Sequence, residues 1–220
     1  MAAVSTPAPA RRILFFGHSH TRRLGEFVGK HAEKENFNVS NVEIQFMGIG
    51  GLRVKSLVTK NSKDKKKQAQ VDLTLKKIRD WDPHAVILML GDNDIHPGIS
   101  AAKVTAWLLK LAHNLIWNNY STEAVFFSQL LPRHSTTNNF NSYNDTAAQV
   151  NALLLAKVKK LSYTRLYQNE FWFPSTNQKW FLRDRKLFLD GVHLTAAGYG
   201  KLYGKLRGAV IAASRVPLSH

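Results

Sequence analysis

The feature that most limits the fold is a run of four apolar residues, 13–16, that ends in a glycine and is followed by Ser19. Such a run is typical of a buried strand in a parallel sheet, and the glycine suits a tight turn after it. The residues after Ser19 can open a helix, whose first N–H groups have no acceptor within the helix. Because ligands of open α/β sheets bind at the carboxyl ends of the strands, the Ser19 hydroxyl is a candidate nucleophile. A serine at such a position is nevertheless more often a helix cap.

Strand and helix patterns alternate along the rest of the chain. Apolar runs and period-two alternation predict strands at residues 13–16, 42–47, 85–90, 124–128 and 165–167. Amphipathic spacing predicts helices at residues 21–35, 71–81, 100–118, 144–161 and 195–214. This order predicts an α/β fold of three layers, α/β/α, with a parallel sheet joined by right-handed crossovers.

The length of 220 residues and the hydrophobic content of 44% suit one domain with a substantial core. We expect that domain to cover residues 11–214, with a flexible leader at 1–10 and a tail at 215–220. The leader precedes two arginines, the reverse of the order in a signal peptide, and it would equally suit a linker from an upstream domain. With no long apolar run and no cysteine, we expect an intracellular protein.

The chain is strongly basic, with 31 Lys and Arg against 15 Asp and Glu and a formal net charge of +16. Such an excess favours an anionic partner, either a nucleic acid or an anionic membrane surface, although solubility alone would also explain it. A lysine-rich run at residues 60–67 is typical of a solvated loop and is also a candidate phosphate-binding patch. The candidate phosphate-binding residues are Arg22, Arg23, Arg53, Lys65, Lys66 and Lys67.

Several polar residues and one glycine fall where a parallel sheet would bring them together with Ser19. Asp190 and His193 are three residues apart, before the last predicted helix, so that the carboxylate can orient the imidazole. Asn93 follows the most apolar predicted strand, and Gly51 follows the second strand. An acyl-transfer site needs a nucleophile, an oriented base and fixed donors for an oxyanion. Each residue alone has a common structural explanation, and only their joint order favours such a site.

Four short blocks carry these residues, and together they resemble those of the SGNH hydrolase superfamily, the GDSL-type esterases and lipases. The blocks read GHSH at residues 17–20, GGLR at 50–53, GDND at 91–94 and DGVH at 190–193. The resemblance covers residues 12–207 and implies a flavodoxin-like sheet of five parallel strands in the order 2-1-3-4-5.

The resemblance also implies roles for individual residues. Ser19 would be the nucleophile, His193 the general base and Asp190 the group that orients it. The N–H groups of Ser19 and Gly51 and the side chain of Asn93 would form the oxyanion hole. The implied activity is that of a serine esterase that works through an acyl-serine intermediate, without a cofactor.

One block departs from the family pattern, because His18 stands where an aspartate usually precedes the serine, and His20 follows the serine. The two imidazoles leave the identity of the base open. We expect both to be packing or surface residues. A metal site made by His18, His20 and Asp92 lacks a recognisable ligand spacing, so we expect no metal.

The substrate is not specified by these motifs. A short-chain carboxylic ester is the leading hypothesis, and a lipid ester or an acetylated glycan also fits the superfamily. An aromatic segment at residues 171–181 would either pack irregularly or form a substrate wall, with Trp172 and Trp180 as the candidates.

The blocks also resemble, more loosely, the esterase-like domain of some animal retroelement open reading frames. Such proteins associate with RNA, which would give the basic surface a purpose. The alternative function is therefore a nucleic-acid-binding or anionic-lipid-binding protein on the same fold. No RNA-binding module signature is present.

Overall fold

The computed structural model describes residues 10–59, 65–118, 121–134, 141–161 and 184–216. Its sheet has strands β1 (Arg11–Gly17), β2 (Val42–Gly48), β3 (Ala85–Met89) and β4 (Ala124–Phe127). All pairings are parallel, and within the described residues the order is β2-β1-β3-β4. The predicted α/β class and this part of the strand order are confirmed, whereas the fifth predicted strand, 165–167, lies outside the described residues.

Strand β1 lies between β2 and β3, and apolar layers cover both of its faces. Ile13 and Phe15 face one apolar layer, and Leu14 and Phe16 face the other. All four side chains are completely buried. This explains why the strand reads as a continuous apolar run and not as an alternating pattern.

Helices cover the two faces of the sheet. Helices α1 (Ser19–Gly29) and α6 (Ala196–Ser214) pack on one face. The other face is covered by α2 (Val54–Thr59), α3 (Lys65–Trp81), α4 (Ala101–Asn118) and α5 (Asn141–Leu161). None of the described helices is both long enough and apolar enough to cross a lipid bilayer.

Two helix boundaries differ from the sequence prediction. Helix α1 ends at Gly29 and not near residue 35, and a short 3₁₀ segment, Ala32–Asn38, follows it. Left-handed backbone at Asn36 and Phe37 turns the chain there, and Phe37 becomes fully buried. Its ring stacks on Phe15 at 5.2 Å between centroids. The burial of the Phe37 ring accounts for the turn of the chain after α1. Helical periodicity in the sequence does not show that this ring will be buried.

The other difference concerns the lysine-rich run. Helix α3 begins at Lys65 and not near residue 71, so the end of that run forms its first turn. Residues 60–64 lie outside the described part of the chain.

The carboxyl ends of β2, β1 and β3 are aligned closely. Gly17 is paired in register with Gly48 on one side and with Met89 on the other. A Cβ atom at Gly17 would overlap the Met89 carbonyl oxygen and the Thr21 hydroxyl, so only glycine fits. The turn after β1 and the loops after β2 and β3 consequently start from one edge of the sheet.

Candidate active site

The turn after β1 places Ser19 at the edge of the sheet where β1, β2 and β3 end. His18 is the N-cap of α1, and its Nδ1 accepts a hydrogen bond from the His20 N–H at 3.4 Å. Ser19 is the first residue of the helix and is half-buried. Since the first N–H groups of a helix have no acceptor within it, the Ser19 N–H and hydroxyl lie beside a region that favours negative charge.

Ser19 meets His193 at this edge. The Ser19 Oγ lies 3.2 Å from His193 Nε2, and His193 Nδ1 lies 2.7 Å from Asp190 Oδ2. A hydrogen bond from Nδ1–H to the carboxylate leaves the Nε2 lone pair facing the serine. The structure therefore joins Ser19, His193 and Asp190 in the order that a nucleophile, its base and an orienting group require.

The loop that holds Asp190 and His193 is stabilised locally. Asp190 Oδ1 accepts hydrogen bonds from the N–H groups of Val192 at 2.9 Å and His193 at 2.6 Å. The hydrogen bond from the His193 side chain, together with those from the backbone, holds the pKa of Asp190 well below its usual range. The carboxylate is thus ionised at neutral pH, although half of its side chain is exposed and its attraction for charge is screened by water.

The loops after β2 and β3 are tied to each other beside Ser19. The Asn93 side-chain NH₂ donates to the Leu52 carbonyl oxygen at 3.1 Å. Asp94 accepts from the N–H groups of Val54 at 2.8 Å and Lys55 at 3.0 Å, which caps α2. An amide NH₂ has a second hydrogen, and Asn93 lines the same cavity as Ser19.

Gly51 lies in the loop between β2 and α2. It is exposed and has a left-handed φ of 63°. A residue with a side chain rarely adopts this conformation, so a glycine here is a backbone requirement.

A buried hydrogen-bond network lies behind Ser19. His18 Nε2 lies 2.7 Å from Asp92 Oδ2, and the Tyr143 hydroxyl donates to Asp92 Oδ1 at 2.9 Å. Burial alone would raise the pKa of Asp92, but the neighbouring His18 holds it well below its usual range. Asp92 is therefore an ionised carboxylate in the interior, satisfied on both oxygens.

His20 is buried in the same region and has a different partner. Its Nδ1 lies 3.1 Å from the Tyr199 hydroxyl, and its ring centroid is 5.8 Å from that of His193. Burial and the adjacent His18 lower the pKa of His20 to about 3. His18 and His20 are thus both buried rather than surface residues, and the histidine that contacts Ser19 is His193.

The loop after β4 completes the site. The His134 N–H donates to the Gly191 carbonyl oxygen at 2.7 Å. A Cβ atom at Gly191 would overlap the His134 carbonyl oxygen, so the two loops approach closely only because residue 191 is a glycine. Arg133, Asn93 and Ser19 line a cavity of about 20 Å³ at this point, enough space for one water molecule.

The remaining predicted site residues are distributed differently. Arg22 and Arg23 lie on α1, whereas Lys65, Lys66 and Lys67 lie on α3, which covers the opposite face of the sheet. Arg22 is exposed and lies 3.8 Å from Glu26, and Arg53, Lys65 and Lys66 are also exposed. These candidates therefore do not all lie on one face of the sheet. Trp172 and Trp180 lie outside the described residues.

The candidate metal ligands do not form a metal site. His18 and Asp92 bond to each other, and His20 bonds to Tyr199. In the described ranges, no group of three or more His, Cys, Asp or Glu side chains is arranged to hold a metal ion.

The chain matches the family profile of the GDSL-like lipases and acylhydrolases over residues 13–206. It belongs to that family. This GDSL-like acylhydrolase is thus an ester-hydrolysing enzyme, as the blocks around Ser19 and His193 indicated. No curated protein sequence is significantly similar to it.

Several solved structures share the fold. Est24, a carbohydrate acetylesterase from Sinorhizobium meliloti, is 16% identical with a TM-score of 0.65, and the match covers 92% of this chain and 99% of that one. A member of the lipolytic G-D-S-L family from Veillonella parvula is 18% identical with a TM-score of 0.64, covering 90% and 96%. A GDSL-like lipase from Bacteroides thetaiotaomicron is 17% identical with a TM-score of 0.61, covering 92% and 89%.

Sequence reasoning did not identify Tyr143, Tyr199 or Arg133 in this acylhydrolase. Tyr143 and Tyr199 lie on amphipathic helices, where an inward aromatic residue reads as part of the core. Arg133 lies in a polar irregular stretch with no recognisable pattern. No local signal marks any of the three, because each reaches the site through contacts with sequence-distant residues.

The low pKa of His20 predicts an acid-induced loss of stability that His20→Gln removes. An unfolded histidine takes up a proton near pH 6.5, whereas folded His20 stays neutral down to about pH 3. As pH falls through this window the unfolded state gains a proton that the folded state does not, so the free energy of unfolding decreases. Relative to His20→Gln, we expect wild type to lose about 2 kcal/mol between pH 8 and pH 5 in urea unfolding.

The difference in the free energy of unfolding between wild type and His20→Gln at pH 8 is the control, since it gives the packing cost of the substitution alone. Parallel stability curves for wild type and His20→Gln between pH 8 and pH 4 would contradict the prediction.

Proposed function

We propose that this protein is a serine esterase that hydrolyses a short-chain carboxylic ester through an acyl-serine intermediate. The observation that carries the proposal is the contact of 3.2 Å between Ser19 Oγ and His193 Nε2, with Asp190 2.7 Å behind the imidazole. The family supports ester hydrolysis as the reaction type. The roles of the individual residues are the proposal.

Acylation begins with the Ser19 hydroxyl. His193 Nε2 accepts its proton as Oγ bonds to the carbonyl carbon of the ester, and the carbonyl electron pair moves onto oxygen. The ionised Asp190 stabilises the imidazolium that results. When the tetrahedral intermediate collapses, His193 returns the proton to the departing alkoxide, which leaves as an alcohol and gives acyl-Ser19.

The negative oxygen of the intermediate is stabilised by N–H groups at the edge of the sheet. The Ser19 N–H at the start of α1, the Gly51 N–H and the second hydrogen of the Asn93 amide are the proposed donors. The bonds from Asn93 to Leu52 and from Asp94 to α2 hold two of these donors before substrate binds. Preorganised donors of this kind need no rearrangement during the reaction.

Deacylation repeats the acylation steps with water as the nucleophile. His193 removes a proton from water, hydroxide adds to the acyl carbon, and the intermediate collapses with return of the proton to Ser19 Oγ. The products are a carboxylic acid and the free serine.

The space beside Ser19 is our reason for proposing a short acyl group. The cavity lined by Ser19, Asn93 and Val192 measures about 20 Å³. This volume suits a methyl group rather than a long chain, so an acetyl ester is the proposed substrate type.

Ser19→Ala should abolish ester hydrolysis, because no other group would form the acyl-enzyme. The measurement is 4-nitrophenyl acetate hydrolysis, combined with fluorophosphonate labelling of the intact protein and identification of the labelled residue. We expect loss of at least about 10³-fold in kcat and loss of labelling.

Ser214→Ala is the matched control, since its hydroxyl only bonds to the Ile211 carbonyl at the end of α6. It should retain both activity and labelling. Activity of Ser19→Ala above the uncatalysed rate, or a label on another residue, would overturn the assignment.

Asn93→Ala should lower kcat by about 10²–10³-fold with a smaller change in KM, because the lost donor acts mainly on the transition state. The control is Asn118→Ala, at an exposed position that ends α4. Fluorophosphonate labelling followed to completion separates a lost donor, which slows the labelling of Ser19, from a collapsed site, which does not react. A decrease below fivefold would exclude Asn93 from the oxyanion hole.

A second candidate function is the binding of a nucleic acid, and the net charge of +16 favours it. The resemblance to retroelement esterase-like domains implies the same partner and stays a prediction. Lys65 and Lys66 at the start of α3 are exposed and are the proposed phosphate contacts on that face of the sheet. An anionic membrane surface would be attracted by the same charges.

Filter binding of a single-stranded RNA at several salt concentrations tests this function. We expect unchanged binding by Ser19→Ala and a steep loss of affinity with salt. Replacing both Lys65 and Lys66 by Gln should reduce the slope of log K against log salt by about 1 to 2. A flat salt dependence would rule the nucleic-acid function out.

A further inference from the structure

Arg133 lies between the cavity at Ser19 and a second, larger cleft. It lines the small cavity together with Ser19 and Asn93. It also lines a cleft of about 600 Å³ between the loop at residues 95–99 and the first turns of α5. Arg133 therefore borders both the cavity beside Ser19 and the larger cleft.

Arg133 is held in place before any ligand arrives. Its N–H donates to Asn144 Oδ1 at 2.8 Å, and its carbonyl oxygen accepts from Asn144 Nδ2 at 2.9 Å. The guanidinium stacks on the Tyr143 ring at 4.1 Å, and Nη2 donates to the Asp92 carbonyl oxygen at 3.3 Å. A long side chain fixed in this way loses little conformational entropy when it binds a ligand.

The guanidinium keeps most of its hydrogen-bonding capacity. It has five N–H donors, of which one bonds to the Asp92 carbonyl and one to the Tyr143 hydroxyl, so three remain for a ligand. Across the described residues, no carboxylate lies within 4.0 Å of Arg133. It is also the one permanently charged side chain among the described residues that line the cleft.

We propose that the ester hydrolysed at Ser19 carries an anionic group, a carboxylate or a phosphate, on its alcohol portion, and that Arg133 binds this group in the cleft. The inference rests on the proposed function. Since the proposed acyl group is short and would occupy the small cavity, we assign the alcohol portion to the larger cleft, which shares Arg133 and Tyr143 with that cavity. A fixed guanidinium with free donors is suited to planar or tetrahedral oxyanions.

Two nearly isosteric acetyl esters test the proposal. They are 3-acetoxybenzoate, which carries the carboxylate on the alcohol portion, and the neutral 3-acetoxybenzamide. We expect wild type to favour the anionic ester in kcat/KM by about tenfold or more, mainly through KM. 3-Acetoxyphenyl phosphate extends the comparison and shows which anion is preferred.

The ratio of the two kcat/KM values identifies the role of Arg133. It should fall to near 1 in Arg133→Gln and keep an intermediate value in Arg133→Lys, which retains the charge without the planar fork. Because both substrates use the same catalytic groups, general damage to the site cancels in this ratio. Lys205→Gln removes the same charge from an exposed position on α6 and should leave the ratio unchanged.

A ratio near 1 in wild type, or a ratio that Arg133→Gln leaves unchanged, overturns the proposal while Ser19-dependent hydrolysis stands. If neither ester is hydrolysed, the proposed esterase function fails instead. Calorimetric binding of 3-hydroxybenzoate to wild type and Arg133→Gln then still tests the anion site, because it needs no hydrolysis. Equal affinities would overturn it, and a loss of about tenfold in Arg133→Gln would support it.

Discussion

The buried bond between His18 and Asp92 is the interaction on which the rest of the site depends. It joins the turn after β1 to the loop after β3, and each partner is adjacent to a residue that faces the cavity, Ser19 in one case and Asn93 in the other. A buried pair of this kind is costly to break, because it leaves a carboxylate without its partner. Tyr143 extends the network to α5, so both helical layers contribute to the position of Ser19.

Asp190 and His193 are held in place by a different kind of structure. Asp190 and His193 belong to a partly exposed loop that is closed by the bridge between Phe188 and Leu194 and by the bond from His134 to Gly191. Phe188 and Leu194 are buried in the core and anchor the loop on either side. Ser19 therefore rests on a buried polar network, whereas His193 rests on a local turn anchored by apolar contacts.

The basic residues of this chain occupy two different kinds of position. Most of the lysine and arginine side chains that the structure describes are exposed on helices, where salt screens their charge and where it affects solubility and association. Arg133 is different, because Asn144 and Tyr143 fix it beside the cavity. Mutation can consequently change Arg133 separately from the exposed basic residues.

The sequence by itself determined the fold class, and the resemblance of its four blocks to a known family implied the strand order that the structure describes. It also predicted that Ser19, Asp190 and His193 would lie together, and the structure places the three side chains in contact. Buried strands must be continuously apolar, and an Asp–His pair three residues apart forms its contact within one turn. Only the tertiary structure decided that α1 ends at Gly29, that His18 pairs with Asp92, and that Arg133 lies in the site. These outcomes join residues such as His18 and Asp92, 74 positions apart, and linear spacing carries no information about which distant side chains will meet.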